Sequence, residues 1–556
     1  GVLLPICADS KLKLYEIGPP TQELARKLSC SELIAALLEM GHENRCSDLD
    51  RAQAWLKPQF EPLMDDLNLG SAAAAAAEKW RSRSSFGNVV VYGDYDTDGI
   101  SSTVLAMEIF RNKASGVRYF IPRRDMQGYG LHAPVLEKIA ESGCNTLVVV
   151  DCGTNDVELL SELAKRGIDI FVFDHHSLSV PGPFFPLTVN PCIDGNDAAR
   201  KLCATAVLWC WAWKEEIAPR SWLQYALDLA GLATVSDCMP LDALNRAIVQ
   251  RGMALMRTNP RRGLAALFEK LGIERRSLAE EQLSMRIIPC LNAPGRIGCA
   301  DISVKTLLGV GEVYACVNDL VKANKRRQMI SESIASKICE PENPKRHVMF
   351  DDSWPVGVLS GVASRICSLR RSPVALAAPV CGKIRGTLRV PAGGNAVGIL
   401  SSLSESLEAW GGHRYAAGFS VLSNRWKEVE NTLESLLSQV QIEEEIIKAL
   451  ALSPERIGLE DWKAVNDLGP FGNGNPCPYF YKAKDSSDKV VPLGRDGKHS
   501  SVVVDNVRLL AFNSASCLGD ISRVKGWLYH PRLDYWRSEE RVQFILDYAV
   551  VGKDVS

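Results

Sequence analysis

None of the 17 cysteines forms a CxxC pair with another; they are scattered from Cys7 to Cys517. That excludes a zinc ribbon and a thioredoxin-like redox motif. Cysteines spread this way behave as small buried hydrophobes in a reducing compartment, so a cytoplasmic location is expected. An excess of one charge is also missing: 64 Lys and Arg against 66 Asp and Glu leave a formal net charge of −2. There is thus no global basic surplus pointing to a polyanion. A local basic groove remains compatible with that sum if carboxylates elsewhere gather on cations. No apolar run is long enough to span a bilayer, so no membrane association is expected. Gly1-Val-Leu-Leu-Pro5 carries no basic n-region, so no secretory signal is expected there. Internal repeats are absent as well.

What is present is an ordinary globular composition, 46% hydrophobic and 23% charged, in 556 residues. That length exceeds what one core holds, and several domains are expected. Residues 1–85 read as a helical N-terminal region with an alanine run, Ala72–Ala77. Three short branched-rich runs then follow: Val89–Gly93, Leu147–Val150 and Ile170–Phe173. The stretches Ser101–Arg111 and Val157–Lys165 between them have helical character. This alternation predicts an α/β domain over 86–305 with a parallel sheet covered on both faces. Apolar spacing at Val310, Val313, Val317, Leu320 and Val321 predicts a long connector helix over 306–340, which turns basic at Lys325-Arg326-Arg327. A second α/β domain is expected over 341–440. A turn-rich region with alternating runs over 454–556 predicts a small β-barrel of OB type. The Trp209–Trp213 stretch, WCWAW, lies in an apolar helix and is read as core rather than as a base-stacking platform.

The three strands run straight into acid. The first is followed by Asp94, Asp96 and Asp98, the second by Asp151, and the third by Asp174, His175 and His176; Asp237 lies in SDCMPL. Ligands of an open parallel sheet bind beyond the carboxyl ends of its strands. Each acid alone is adequately explained as a helix N-cap, but three consecutive strands ending this way are not. Carboxylates converging on one place need cations to offset their repulsion. Oxygen ligands with an imidazole suit Mn²⁺ or Mg²⁺ better than a thiolate-preferring ion. Two such ions would polarise a phosphodiester and acidify water.

These segments carry a family resemblance. GDYDTDG at 93–99, VDCG at 150–153, DHH at 174–176, SDCMPL at 236–241 and GGH at 411–413 resemble, in order and spacing, the motifs of the DHH phosphoesterase superfamily in its RecJ form. LNAPGR at 291–296 and LGPFGNGNPCP at 468–478 extend the resemblance. It implies a DHH domain and a DHHA1 domain joined by a long helix and followed by an OB-like barrel. It also implies a single-strand-specific 5′ exonuclease acting in DNA repair and recombination, with two divalent cations, Mn²⁺ or Mg²⁺. The implied metal ligands are Asp96, Asp98, Asp151, His175 and Asp237, with Asp151 bridging both ions. Asp94 and Asp174 are implied neighbours that orient ligands, Asp94 counting with His176 and His413 among the catalytic residues.

The resemblance further implies a 5′-phosphate pocket at Arg124, Arg296, Gly386, Thr387 and Arg389. Arginine's planar fork pairs two phosphate oxygens at once. The family usually has serine where this chain has Thr387 and Val390, so one hydroxyl is kept and one lost. Implied partners are single-stranded DNA, a single-strand-binding protein and a helicase. All these ligands and contacts lie at or before His413, so the region beyond Pro454 is expected to serve binding rather than chemistry. Two other functions fit parts of the pattern: a DHH phosphodiesterase for short RNA or cyclic dinucleotides, and a non-catalytic replication scaffold. The length argues against the first, and the full set of acids against the second.

Overall fold

The computed structural model describes residues 6–41, 48–514 and 517–552; Gly1–Pro5, where no secretory signal is expected, lie outside them. In the first sheet, alternate side chains of the same strands feed two separate cores. Val89, Val91, Val148, Val150, Phe171 and Phe173 pack on one face, and Val90, Tyr92, Leu147, Val149, Ile170 and Val172 on the other. A strand buried on both faces reads as a continuous apolar run, which is why these segments stand out in the sequence. The sheet is parallel throughout, in the order Gly116–Phe120, Asn88–Tyr92, Thr146–Val150, Asp169–Phe173, Thr188–Val189. The first strand in the chain therefore has its successors on opposite sides. The crevice opened by that reversal lies beyond Tyr92 and Val150, where the acids are.

Helix Ala204–Lys214 carries the tryptophan-rich stretch into the larger core. Trp209 and Trp211 are fully buried, and their indole N–H groups donate to Leu223 O at 2.7 Å and Ala73 O at 2.9 Å. The alanine run lies in helix Ser71–Ser82, where small side chains let the helix sit close to that core.

The connector begins later than expected. Helix Val313–Ile338 buries Val313, Val317, Leu320 and Val321, whereas Val310 is exposed in the preceding turn, and Thr306 belongs to the helix Asp301–Leu308. Beyond it, a second sheet runs in the order Ala409–Gly412, Ala416–Leu422, Lys383–Arg389, Val374–Val380, Val348–Phe350.

The N-terminal region is neither wholly helical nor a unit of its own. Its strand Ile6–Ala8 pairs with Ala549–Val551, and Leu12–Tyr15 pairs with Ile447–Leu450. Only Asp9–Lys11 separates these two strands, so the segment bridges two strands of the C-terminal sheet. Helix Glu32–Met40 buries Leu33, Ile34 and Leu37 in the C-terminal core, while Phe60 and Met64 pack in the catalytic one. Apolar residues at helical spacing do not say which core they enter. The C-terminal sheet starts with the strand Ile447–Ala451, before Pro454, and ends in the long hairpin Val524–Trp536 and Glu539–Val551. Among the described residues, no helix is long and apolar enough to cross a membrane.

Candidate active site

Asp96 caps helix Thr97–Phe110, its carboxylate accepting from Gly99 N at 3.1 Å. The chain leaves the strand so tightly that a Cβ on Gly99 would lie 2.5 Å from Asp94 O. Asp98, one helical position on, is buried and fastened: it accepts from Ala204 N at 3.0 Å, Thr205 N at 2.9 Å and Thr205 Oγ1 at 2.7 Å. The N-terminus of helix Ala204–Lys214 thus points its free N–H groups at a carboxylate, the charge it favours. Asp151 follows the central strand with φ +59°, a conformation L side chains seldom adopt and one kept where surroundings impose it.

Five acids, Asp94, Asp96, Asp98, Asp151 and Asp237, converge with His175. His175 Nε2 lies 3.4 Å from Asp98 Oδ2, 3.2 Å from Asp151 Oδ1 and 3.2 Å from Asp237 Oδ2. Among the described residues two groups, Asp98–His175–Asp237 and Asp94–Asp96–Asp151, are joined by a third, Asp151–His175–His176, the potential ligand atoms of each lying within 4.8 Å of one another. Asp151 touches both. Asp94, expected as an orienting neighbour, lies close enough to Asp96 and Asp151 for the three to face one ion. The four-residue loop 93–96 between strand and helix carries both Asp94 and Asp96.

The electrostatics fit cations. Burial first, and then repulsion from Asp96, hold the Asp94 carboxyl up at about 8. Burial and the neighbouring acids push Asp151 and Asp237 well above the usual carboxylate range. Asp151 Oδ1 is buried and accepts no hydrogen bond. An orphaned carboxylate oxygen amid like charges is an unstable arrangement unless a cation joins it. These oxygens and one imidazole are the donor set expected for Mn²⁺ or Mg²⁺.

Asp174 does not join either group. One of its oxygens accepts from the His176 ring at 2.7 Å and from His175 N at 2.8 Å, and the other accepts from Thr154 Oγ1 at 2.6 Å. Burial alone would lower the His176 imidazole, but the Asp174 carboxylate beside it prevails and holds it up at about 10. Asp174 therefore favours the protonated form of His176. Tyr129 OH lies 3.1 Å from His176 Nδ1 and 3.3 Å from Asp151 O. His413 follows the strand Ala409–Gly412 of the second lobe; burial, and then the charge on His176, depress its pKa. Nothing in the sequence singles out Tyr129, Thr154 or Thr205; their roles arise from contacts across the fold.

The arginines gather on the other side of Tyr95. Arg124 stacks on the Tyr95 ring with its guanidinium carbon 4.2 Å from the centroid. Its Nε is buried without a hydrogen-bond partner. Arg296 reaches across to the second lobe, donating to Ser360 Oγ at 2.7 Å and Gly357 O at 3.2 Å. Its helix is held on the GDYDTDG segment at 93–99, motif I, by Asn292, which accepts from Thr97 N at 2.8 Å, and by Gly295, where a Cβ would lie 2.5 Å from Tyr95 O. Burial and then repulsion from Arg124 and Arg327 hold Arg296 below the ordinary arginine value.

Gly386-Thr387-Leu388-Arg389 is the end of the strand Lys383–Arg389. A Cβ on Gly386 would lie 2.1 Å from the Phe419 ring, so cross-strand packing demands this glycine. The Thr387 hydroxyl accepts from Arg389 Nη1 at 3.1 Å and orients it, while Val390 packs in the core of the second lobe. Two cations were missed. Arg327, part of the basic run on the connector helix, is steadied by Asn324 Oδ1 at 2.9 Å. Arg385 donates to Arg124 O at 2.9 Å.

Comparison with known proteins agrees with this geometry. Residues 88–232 match the DHH family N-terminal domain, 343–441 the DHHA1 domain and 449–548 the RecJ OB domain. The chain is 31% identical over 492 residues to the single-stranded-DNA-specific exonuclease RecJ of Thermus thermophilus, covering 86% of this chain and 71% of that protein. It is 29% identical over 430 residues to the enzyme of the same name from Escherichia coli, covering 70% and 74%. The crystal structure of Thermus thermophilus RecJ in complex with Mn²⁺ superposes with a TM-score of 0.76 at 26% identity, covering 97% of this chain and 79% of that one. With its acids on the carboxyl ends of a parallel sheet, its arginines shared between two lobes and all three domain matches in one order, this chain belongs to the RecJ family of DHH phosphoesterases.

Proposed function

We propose that the protein hydrolyses single-stranded DNA from its 5′ end, releasing 5′-mononucleotides in DNA repair and recombination. The observation that carries this reading is the juxtaposition of two self-repelling charge clusters. Asp94, Asp96, Asp98, Asp151, His175 and Asp237 surround one place, and Arg124, Arg296 and Arg389 another, with Tyr95 between them. Divalent cations supply what the first lacks, and a phosphodiester chain with a terminal phosphate supplies what the second lacks.

Asp94, Asp96 and Asp151 would hold one divalent cation, and Asp98, Asp151, His175 and Asp237 the other. When bound, such ions neutralise charge on a phosphodiester and acidify water. The chain's own residues do the rest. His176, kept protonated by Asp174, places a positive charge beside the phosphate as charge develops there. His413, held neutral, approaches from the second lobe as a hydrogen-bonding partner. Arg124, Arg296 and Arg389, with the Thr387 hydroxyl steadying the last, bind the terminal phosphate and set where the chain ends. The C-terminal barrel adds sequence-tolerant binding of the strand.

On the same reading the protein works in the cytoplasm, with a single-strand-binding protein and a helicase as partners. The match of residues 449–548 to a RecJ OB domain disfavours a small phosphodiesterase for short RNA or cyclic dinucleotides. The test is digestion of single strands labelled at either end, with Mn²⁺ or Mg²⁺, beside a dinucleotide control. Immediate release of a 5′-labelled mononucleotide is expected. Release from the 3′ end first, or a preference for the dinucleotide, overturns the proposal.

A further inference from the structure

The turn that carries Asp237 is held from the far end of the chain. Helix Leu227–Ser236 closes with Cys238 N donating to Val235 O and Met239 N to Thr234 O, both at 3.1 Å. This is the paired bonding of a Schellman close, whose next position favours glycine. Here that position is Cys238, at φ +51°, a region L side chains avoid. The geometry that throws the Asp237 carboxylate towards His175 thus depends on a turn that its own sequence disfavours.

Support comes from Asn473. Its Nδ2 donates to Cys238 O at 2.7 Å, and its carbonyl accepts from Leu241 N at 2.8 Å. Asn473 sits at the tip of a tight turn in which Gly472 N donates to Asn475 O at 2.9 Å and Asn475 N to Gly472 O at 3.1 Å. Gly474 has φ +75°, and a Cβ on Gly472 would lie 2.7 Å from Leu241 Cδ1, so both glycines are needed for this approach. The base of the turn is anchored on the catalytic domain as well. Arg246 Nε and Gln250 Nε2 donate to Gly469 O at 2.9 and 2.8 Å, and Phe471 N donates to Glu280 Oε1 at 3.0 Å.

We propose that Asn473 is a positioning residue for Asp237, so that a loop entering the C-terminal barrel tunes one of the two cation sites. This rests on reading Asp237 as a metal ligand. Partners that orient a ligand typically alter metal affinity by about 10–100-fold. The separation of chemistry from binding at Pro454 then fails: removing the chain beyond it removes the clamp, and the cleavage step slows along with DNA binding.

The test uses the full chain and Mn²⁺ alone, with free Mn²⁺ followed by electron paramagnetic resonance. The unmutated protein binds two ions. Asn473→Ala weakens one of them roughly tenfold and leaves the other unchanged; Asp237→Asn weakens the same ion further. At limiting Mn²⁺ the Asn473→Ala variant shows a lower kcat on single-stranded DNA with KM unchanged, and excess Mn²⁺ restores it. Asn473→Asp keeps the shape of the side chain without the donor and gives the same pattern should the alanine variant fold poorly. Both ions bound as in the unmutated chain, or both weakened equally, overturns the clamp. An unmutated chain that holds no Mn²⁺ overturns the metal-site reading itself and the clamp with it.

Discussion

The acid cluster and the arginine pocket fail in opposite directions. In the first, buried carboxylates raise one another's pKa values and leave an Asp151 oxygen without a partner. In the second, burial and then the neighbouring guanidinium groups depress Arg296, and an Arg124 nitrogen is left without a hydrogen bond. A third buried cluster shows how charges settle when structure alone is served. Arg261 grips Asp228 at 2.7 and 3.1 Å and Glu108 at 3.2 Å, and opposite signs meet in one fork. The functional clusters could have been interleaved in the same manner, but Tyr95 and the motif I backbone stand between them. Unspent charge of each sign is kept for ions and phosphate, at a cost in stability that a ligand returns.

The comparison breaks most visibly at its acid end. Asp151→Ala abolishes cleavage, because a carboxylate shared by both groups is lost. Several kcal/mol of transition-state stabilisation go with it, on the order of a thousandfold or more in rate. Asp151→Asn, which tolerates the left-handed backbone, does the same with the far-ultraviolet circular dichroism spectrum unchanged. A near-normal rate with both ions bound would remove Asp151 from the centre.

A smaller effect follows from pH. The Asp94 carboxyl, raised to about 8 by burial and Asp96, must lose its proton to accept a cation. At this carboxyl, protons therefore compete with the metal below that value and not above it. Affinity for Mn²⁺ falls at least about tenfold for each pH unit below 8. Titrations at pH 6, 7, 8 and 9 read the slope directly, and Asp94→Asn makes it shallower; an unchanged slope in that variant places Asp94 outside the ligand group.

At the basic end, Arg296→Ala costs roughly tenfold to a hundredfold in preference for 5′-phosphorylated over 5′-hydroxyl strands, the worth of one charge-assisted hydrogen bond. The ratio of kcat/KM values on matched strands measures it. An equal loss on both kinds of end would make Arg296 a backbone contact only. The smallest effect is at Arg327, which repels Arg296 from the connector helix. Arg327→Gln lowers DNA affinity a few-fold and flattens its salt dependence by about one ion. Mn²⁺ affinity is unaltered, and a shift there would show that the two clusters are coupled.

The sequence alone determined the chemistry-bearing strand ends. Their signal is local: a buried parallel strand must be continuously apolar, its end must turn, and the acids sit within a few residues of that turn. The same locality identified the tryptophan helix as core, while Arg124, Arg296 and Arg389 became candidates through the family resemblance alone. Only the tertiary structure decided how the acids are grouped, with Asp94 beside Asp96 and Asp151. It alone brought Arg327 and Arg385 beside Arg124 and Arg296, and gave Tyr129 and Thr205 their partners. It also placed residues 6–40 against the C-terminal core and Asn473 against Cys238. These are contacts between residues distant in the chain, and hydropathy periodicity records that a side chain is buried, not what it is buried against.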